Sequence, residues 1–297
     1  MNRICLRRVA FVLVLVAFVS KSAKATGQTS DFSGLVLEVT TTKDAFVQLE
    51  PVPLALTLTN KTNQTILGHN ALKFSLGFTD LFVYHNGEGR KIVNLSPIRG
   101  SATVKPRQIQ PRESYGSREL LVLDLDKVFR EPGYYEIQAV VHDVEWKEEV
   151  RSNRLRFRIV APSSIDLQGS EFLKANTNPS HFFSGLELAN ERTQDVLKMF
   201  LSNFRDSSYG DYAAFMLGEF YLVRKDYTRA IEQLNGVSKK PDFVYGDRAL
   251  YYLVEGNARL GNWQQAGHHL DSLRASNPDS NYLERAEISM SRETKTR

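Results

Sequence analysis

The sequence predicts a chain in two parts, an antiparallel β-sandwich followed by an array of paired α-helices, and two observations carry that reading. Over residues 31–161 apolar side chains recur at every second position, as at Leu35, Leu37 and Val39 and again at Leu54, Leu56 and Leu58. Such alternation sets one face of each strand on a core. In the second half a motif returns. Asp206-Ser207-Ser208-Tyr209-Gly210-Asp211-Tyr212-Ala213 is echoed 36 residues on by Asp242-Phe243-Val244-Tyr245-Gly246-Asp247-Arg248-Ala249. A weaker echo, Asp279-Ser280-Asn281-Tyr282-Leu283-Glu284-Arg285-Ala286, follows after a further 37. Fixed periods of this length mark one supersecondary unit, stacked so that neighbours bury its apolar face.

The chain has 297 residues, enough for two domains, and its 42% apolar content can fill a core in each. Residues 1–25 are expected to be a cleaved secretory signal: Arg3, Arg7 and Arg8, then an apolar run over 9–19, then Ala23-Lys24-Ala25 as a small-x-small cleavage site. The run is shorter than the roughly 20 residues needed to span a bilayer. Five of the 38 basic residues (Arg3, Arg7, Arg8, Lys21, Lys24) and none of the 34 acidic ones lie in it, so cleavage changes the net charge from +4 to −1. The apparent basicity therefore gives no reason to expect a nucleic-acid partner. Cys5, the one cysteine, leaves with the signal, so the exported chain is expected to fold without disulfides. That combination fits a bacterial periplasm or extracellular space. Integral membrane insertion is not expected, and peripheral envelope association is compatible with this reading.

Within 31–161 the same alternation marks Leu121, Leu123 and Leu125, then Tyr135, Ile137, Ala139 and Val141, then Leu155, Phe157 and Ile159. Turn signals separate the runs, notably Asn86-Gly87-Glu88-Gly89 and Glu131-Pro132-Gly133. Seven or eight short strands with turns this frequent predict a sandwich. Glu50-Pro51-Val52 leading into residues 54–60, with Pro132-Gly133-Tyr134-Tyr135-Glu136-Ile137-Gln138 later, resembles the immunoglobulin-like modules of bacterial secreted proteins. It is similar in particular to the sandwich of the small bacterial proteinase inhibitors. The tyrosine after the Pro-Gly turn is expected to enter the core and send its hydroxyl to a backbone group, as in a tyrosine corner. Basic residues crowd 86–118 and acidic ones 119–149, a pattern expected of strands that pair their charges and blunt their edges, the other reading being a basic sheet edge that contacts anionic glycans or lipid head groups.

Residues 162–184 carry Pro162, Gly169 and Pro179 among many Ser and Asn, and read as a linker whose Phe172, Phe182 and Phe183 dock the two parts together. From 185 to 291 the period is helical. One helix is expected to end near Arg205, the next to be capped by Ser207 or Ser208, and pairs to follow over about 210–237 and 246–275. Leu217, Gly218, Tyr221, Ala230, Leu253, Ala266 and Pro278 stand where the tetratricopeptide repeat has its characteristic residues, and this segment resembles that family. The small residues let antiparallel helices approach to about 8–10 Å. The resemblance implies a concave face built from the first helix of each pair. Carried over by position, its lining is Tyr212, Phe215, Glu219 and Leu222, then Arg248, Tyr251, Glu255 and Arg259. Tyr and Arg are the types that anchor interfaces. The competing expectation is that Phe215 and Tyr251 simply pack against the neighbouring repeat.

No Gly-x-Ser-x-Gly elbow, His-Glu-x-x-His helix, phosphate loop or dinucleotide fingerprint occurs in the sequence. His268 and His269 point about 100° apart on a helix and do not chelate one metal together. Asp124 and Asp126 share a strand face without the oxygen-rich loop that calcium requires. His142-Asp143 is a loop candidate for acid–base work without a nucleophile. No catalytic residue, metal or cofactor is expected. The reading is an exported scaffold that binds a protein or peptide through its helices, the sandwich serving as positioning or second binding module. The alternative is a protease inhibitor acting through residues 96–116, which hold Pro97, Gly100, Pro106, Pro111 and several arginines.

Overall fold

The computed structural model describes residues 32–294 apart from 71, 75–76, 93–104, 123–124, 185–189, 241–242, 277, 279 and 281. The expected signal segment and residues 96–104 of the inhibitor-type span lie outside the described residues, whereas 105–116 of that span are described. A β region precedes a helical region. The strands are β1 (Leu35–Thr40), β2 (Ala45–Val47), β3 (Val52–Asn60), β4 (Ile66–His69), β5 (Thr79–His85), β6 (Glu88–Ile92), β7 (Pro106–Ile109), β8 (Ser114–Leu121), β9 (Gly133–His142), β10 (Glu149–Arg151) and β11 (Leu155–Val160). One sheet runs β1-β3-β8, a second runs β2-β11-β9-β5-β6 with β10 beside β9, and β4 pairs with β7. The described strand pairings are antiparallel save β2 on β11, and an isolated parallel bridge joins Leu37 to Ser152.

Alternation places the core as expected. Leu35, Leu37 and Val39 of β1, Leu54, Leu56 and Leu58 of β3, and Ile137, Ala139 and Val141 of β9 are all buried and share one cluster. Phe46, Phe129, Phe157 and Tyr135 fill its end with edge-on ring contacts. The tyrosine that sends its hydroxyl back to the chain is Tyr135, donating to the Glu131 carbonyl at 2.8 Å, while Tyr134 faces solvent. Strand period two puts the second residue after Gly133, not the first, on the core side. The expected run through Leu125 stops early: β8 ends at Leu121, and Leu125–Val128 is a helical turn, α1.

The helices that follow are α2 (Ser164–Asn176), α3 (Pro179–Ser184), α4 (Glu191–Phe204), α5 (Gly210–Val223), α6 (Tyr227–Val237), α7 (Gly246–Arg259), α8 (Trp263–Ser276) and α9 (Leu283–Thr294). Residues 162–184 are thus helical for most of their length, which corrects the linker expectation. Pro179 occupies the first helical position, where its missing N–H costs nothing. Gly169 does not break α2. A Cβ there would sit 3.3 Å from the Tyr209 ring and 3.4 Å from the Phe200 ring, so glycine admits a close approach of helices. Phe172 packs on Phe200 and Phe204, and Phe183 on Tyr209 and Tyr212. Neither Ser207 nor Ser208 caps α5. The Ser207 hydroxyl donates to the Phe204 carbonyl at 2.6 Å, and Ser208 donates its N–H to Asp166 at 2.7 Å.

The 36-residue echo becomes geometry: α5 and α7 start at Gly210 and Gly246, α6 and α8 at Tyr227 and Trp263. Where α5 meets α6, a Cβ on Gly218 would lie 2.6 Å from Leu234, inside any real contact distance. The β and helical regions share a single buried cluster. Tyr209 donates its hydroxyl to the Gln48 carbonyl at 2.7 Å and Tyr212 donates to that of Pro51 at 3.4 Å.

Candidate binding surface on the second helical unit

The eight side chains expected to line a concave face fall into two groups. Tyr212, Phe215 and Glu219 of α5 are buried and offer no surface to a partner, a correction to that expectation. Tyr212 is covered by the β region, its hydroxyl on the Pro51 carbonyl. Phe215 is covered by its own neighbours, stacked on Tyr245 at 4.5 Å and in contact with Phe243 and Tyr252. Leu222 is half-buried against the core. From the second unit, Arg248, Tyr251 and Glu255 remain half-exposed and Arg259 is exposed.

Arg248 is held from three sides. Its guanidinium bonds Glu219, its Nε donates to the Tyr252 hydroxyl at 2.8 Å, and its plane lies over the rings of Phe215, Tyr245 and Tyr252. The Tyr252 hydroxyl donates in turn to Glu219 at 2.7 Å. Burial, together with the adjacent Glu219, drives the Tyr252 hydroxyl well above the ordinary tyrosine range, so it stays a donor at physiological pH. This network joins α5 to α7, and removing one partner would leave a mostly buried charge unpaired.

Beyond it lies Tyr251, stacked on Tyr282 at 5.5 Å with the planes 20° apart. The Tyr282 ring also lies near the Arg285 guanidinium. Burial, then the neighbouring Glu255, raises the Tyr251 hydroxyl above its usual range. Rigid tyrosines beside charged groups at the rim of a helical unit can grip an extended segment at small entropic cost. Sequence reasoning missed Tyr282, although the third echo aligns it with Tyr209 and Tyr245.

Other candidates fare differently. The ring Nε2 of His142 lies 3.0 Å from Asp80, whose carboxylate also meets Lys91 at 2.5 Å, and the ring stacks on Trp146 at 4.2 Å. Glu149 approaches the other ring nitrogen at 3.9 Å. Among the described residues no hydroxyl or thiol bonds this imidazole, so no nucleophile stands beside it, and the ion pair in the group is that of Asp80 with Lys91. Among the described residues there is also no group of three or more His, Cys, Asp or Glu arranged for a metal. His268 and His269 sit 5.6 Å apart, centroid to centroid, at 58°. No described helix is long and apolar enough to cross a membrane. A cleft of about 310 Å³ opens between α2 and α4, lined by Asn176, Thr177, Asn190, Arg192, Thr193 and Val196.

No family model matches the chain, and no curated protein matches it. Among solved structures it is similar to the CARDB domain of a Pyrococcus furiosus protein in complex with di-metal ions, at 13% identity over 42% of this chain and 87% of that one, with a TM-score of 0.24. A β-glucosidase from Listeria innocua matches at 8% identity over 42% of this chain and 16% of its own, TM-score 0.24. The sporulation control protein Spo0M of Bacillus subtilis matches at 13% identity over 48% of this chain and 55% of its own, TM-score 0.27. Likenesses this distant carry no argument for fold detail or activity.

Proposed function

We propose that this chain is an exported, non-enzymatic adaptor of a bacterial envelope, an immunoglobulin-like sandwich followed by a tetratricopeptide-like array, which holds a protein or peptide partner on the second helical unit. One observation carries the reading. The face formed by Tyr251, Tyr282, Glu255 and Arg259 stays accessible, while the matching face of the first unit is closed by the chain itself. The repeat reading draws support from helix starts spaced as the sequence echoes are, and from the glycine-mediated approach of α5 to α6. The sandwich reading draws support from the core common to the β-sheets.

The test compares the mature protein with a Tyr251→Ala, Arg259→Glu variant in crosslinking and pull-down from the native envelope. Thermal melts establish that both are folded. A specific partner retained by the first and reduced at least tenfold with the second is the expected outcome. Equal recovery by both would remove the second unit as the binding surface.

A further inference from the structure

The outer face of the larger sheet is not the plain solvated surface expected for strands that merely pair their charges. Three guanidiniums stand over three aromatic rings: Arg154 over Tyr84 at 4.0 Å, Arg156 over Tyr134 at 4.3 Å and Arg151 over Phe82 at 5.9 Å. The strand register builds this lattice. Arg156 opposes Glu136 and Arg158 opposes Tyr134 between β11 and β9, and Tyr84 opposes Glu136 between β5 and β9. Carboxylates answer part of the charge: Glu136 meets Arg154 at 3.5 Å and Glu149 meets Arg151 at 2.6 Å. Arg156 and Arg158 are exposed, and neither is ion-paired to a described carboxylate.

We propose that this face is a docking surface for an extended acidic peptide whose carboxylates recur at every second residue, seated along β11 and the residue just before it, on Arg154, Arg156 and Arg158. Same-face residues of a strand repeat at about 6.6–6.8 Å, and an extended peptide laid over the sheet repeats its own side chains at that interval. The three cationic posts therefore match an acid-x-acid-x-acid segment without bending either partner. Stacking holds the guanidiniums of Arg154 and Arg156 in place beforehand, so little side-chain freedom is lost on binding. Their N–H edges remain to meet carboxylate oxygens. A neutral or anionic glycan fits less well, because Tyr84 and Tyr134 already have guanidiniums stacked on them where a sugar ring would lie. A bilayer surface fits less well because β11 exposes no large aliphatic side chain on this face. This surface is separate from the second helical unit and does not depend on the function proposed for that unit.

Fluorescence anisotropy with the full mature chain tests the proposal, using a labelled ten-residue peptide of alternating Glu and Thr. Three comparisons accompany it: a peptide of the same composition with its Glu residues contiguous, a sulfated polysaccharide, and vesicles of anionic lipid. The alternating peptide should bind tightest of the four, weaken as salt rises, and lose at least tenfold in affinity on Arg156→Glu, Arg158→Glu. The single Arg158→Ala, which leaves the Arg156–Tyr134 stack in place, should lose two- to fivefold and keeps the test available should the double variant misfold. Absence of binding, equal binding of the contiguous peptide, tighter binding of polysaccharide or vesicles, or unchanged affinity in folded variants would each overturn it.

Discussion

Helices α5 and α7 occupy the same place in successive units, yet their surroundings differ. Phe215 and Tyr251 align at 36 residues; the first is fully buried and the second is half-exposed. Glu219 and Glu255 align likewise; the first bonds Arg248 inside a network, and the second lies near the rim beside Tyr251. Gly218, pressed against Leu234, aligns with Val254, which is buried without needing a glycine. The difference teaches that a repeat's sequence sets its helices but not which faces remain open. That is decided by what else the chain lays over them: here the β region and Phe183 over Tyr212, and Phe243, Tyr245 and Tyr252 over Phe215.

Three measurements can break or sharpen this contrast. The largest effect is expected from truncating the aligned aromatics. Phe215→Ala should lower the free energy of unfolding by about 3–5 kcal/mol in denaturant titrations, as a large ring lost from a packed site does. Tyr251→Ala should cost less than half of that, and equal losses would mean that the two units are alike in burial. Next comes Gly218→Val, which copies the second unit's residue into the first. With a Cβ 2.6 Å from Leu234 it should cost about 1–3 kcal/mol through overpacking, read in the same titration. An unchanged midpoint would show that α5 and α6 can separate freely.

The smallest effect concerns pH at the joint between the regions. Burial pushes the Glu119 carboxyl up to about 7, partly offset by Lys73 and a hydrogen bond from the Phe74 backbone. The unfolded chain loses this proton near 4.5 while the folded chain retains it to about 7. Glu119 therefore weakens the fold progressively as pH rises across that window, and the cost levels off above it. Glu119→Gln should flatten the stability profile between pH 4.5 and 7 by on the order of 1 kcal/mol relative to the parent chain, solvent screening at this half-buried side chain reducing the full linkage effect. Parallel profiles for the two proteins would place this carboxyl in water.

Much of the architecture was legible because periodicity survives folding. The alternation at Leu35, Leu37 and Val39 and the echo beginning at Asp206 and Asp242 translate directly into strands and helix starts. What stayed illegible depends on contacts distant in sequence. Gly169 and Pro179 look like chain breakers, and only the approach of Tyr209 and Phe200 to Gly169 reveals a packing role. Tyr212 looks like an interface residue, and only the Pro51 carbonyl, 161 residues away, shows where it points. The arginine–aromatic lattice escaped notice because its partners come from strands far apart in the chain.

Tyr209 and Tyr212 reach the β region through the main-chain oxygens of Gln48 and Pro51 rather than through side chains. Every residue type supplies such an oxygen, so these two bonds place no chemical demand on the identity of residues 48 and 51. The hydroxyls, by contrast, come only from tyrosine here, and phenylalanine in either place would lose one. As far as these two bonds go, substitution should therefore be read asymmetrically, permissive at the turn between β2 and β3 and strict at the two tyrosines.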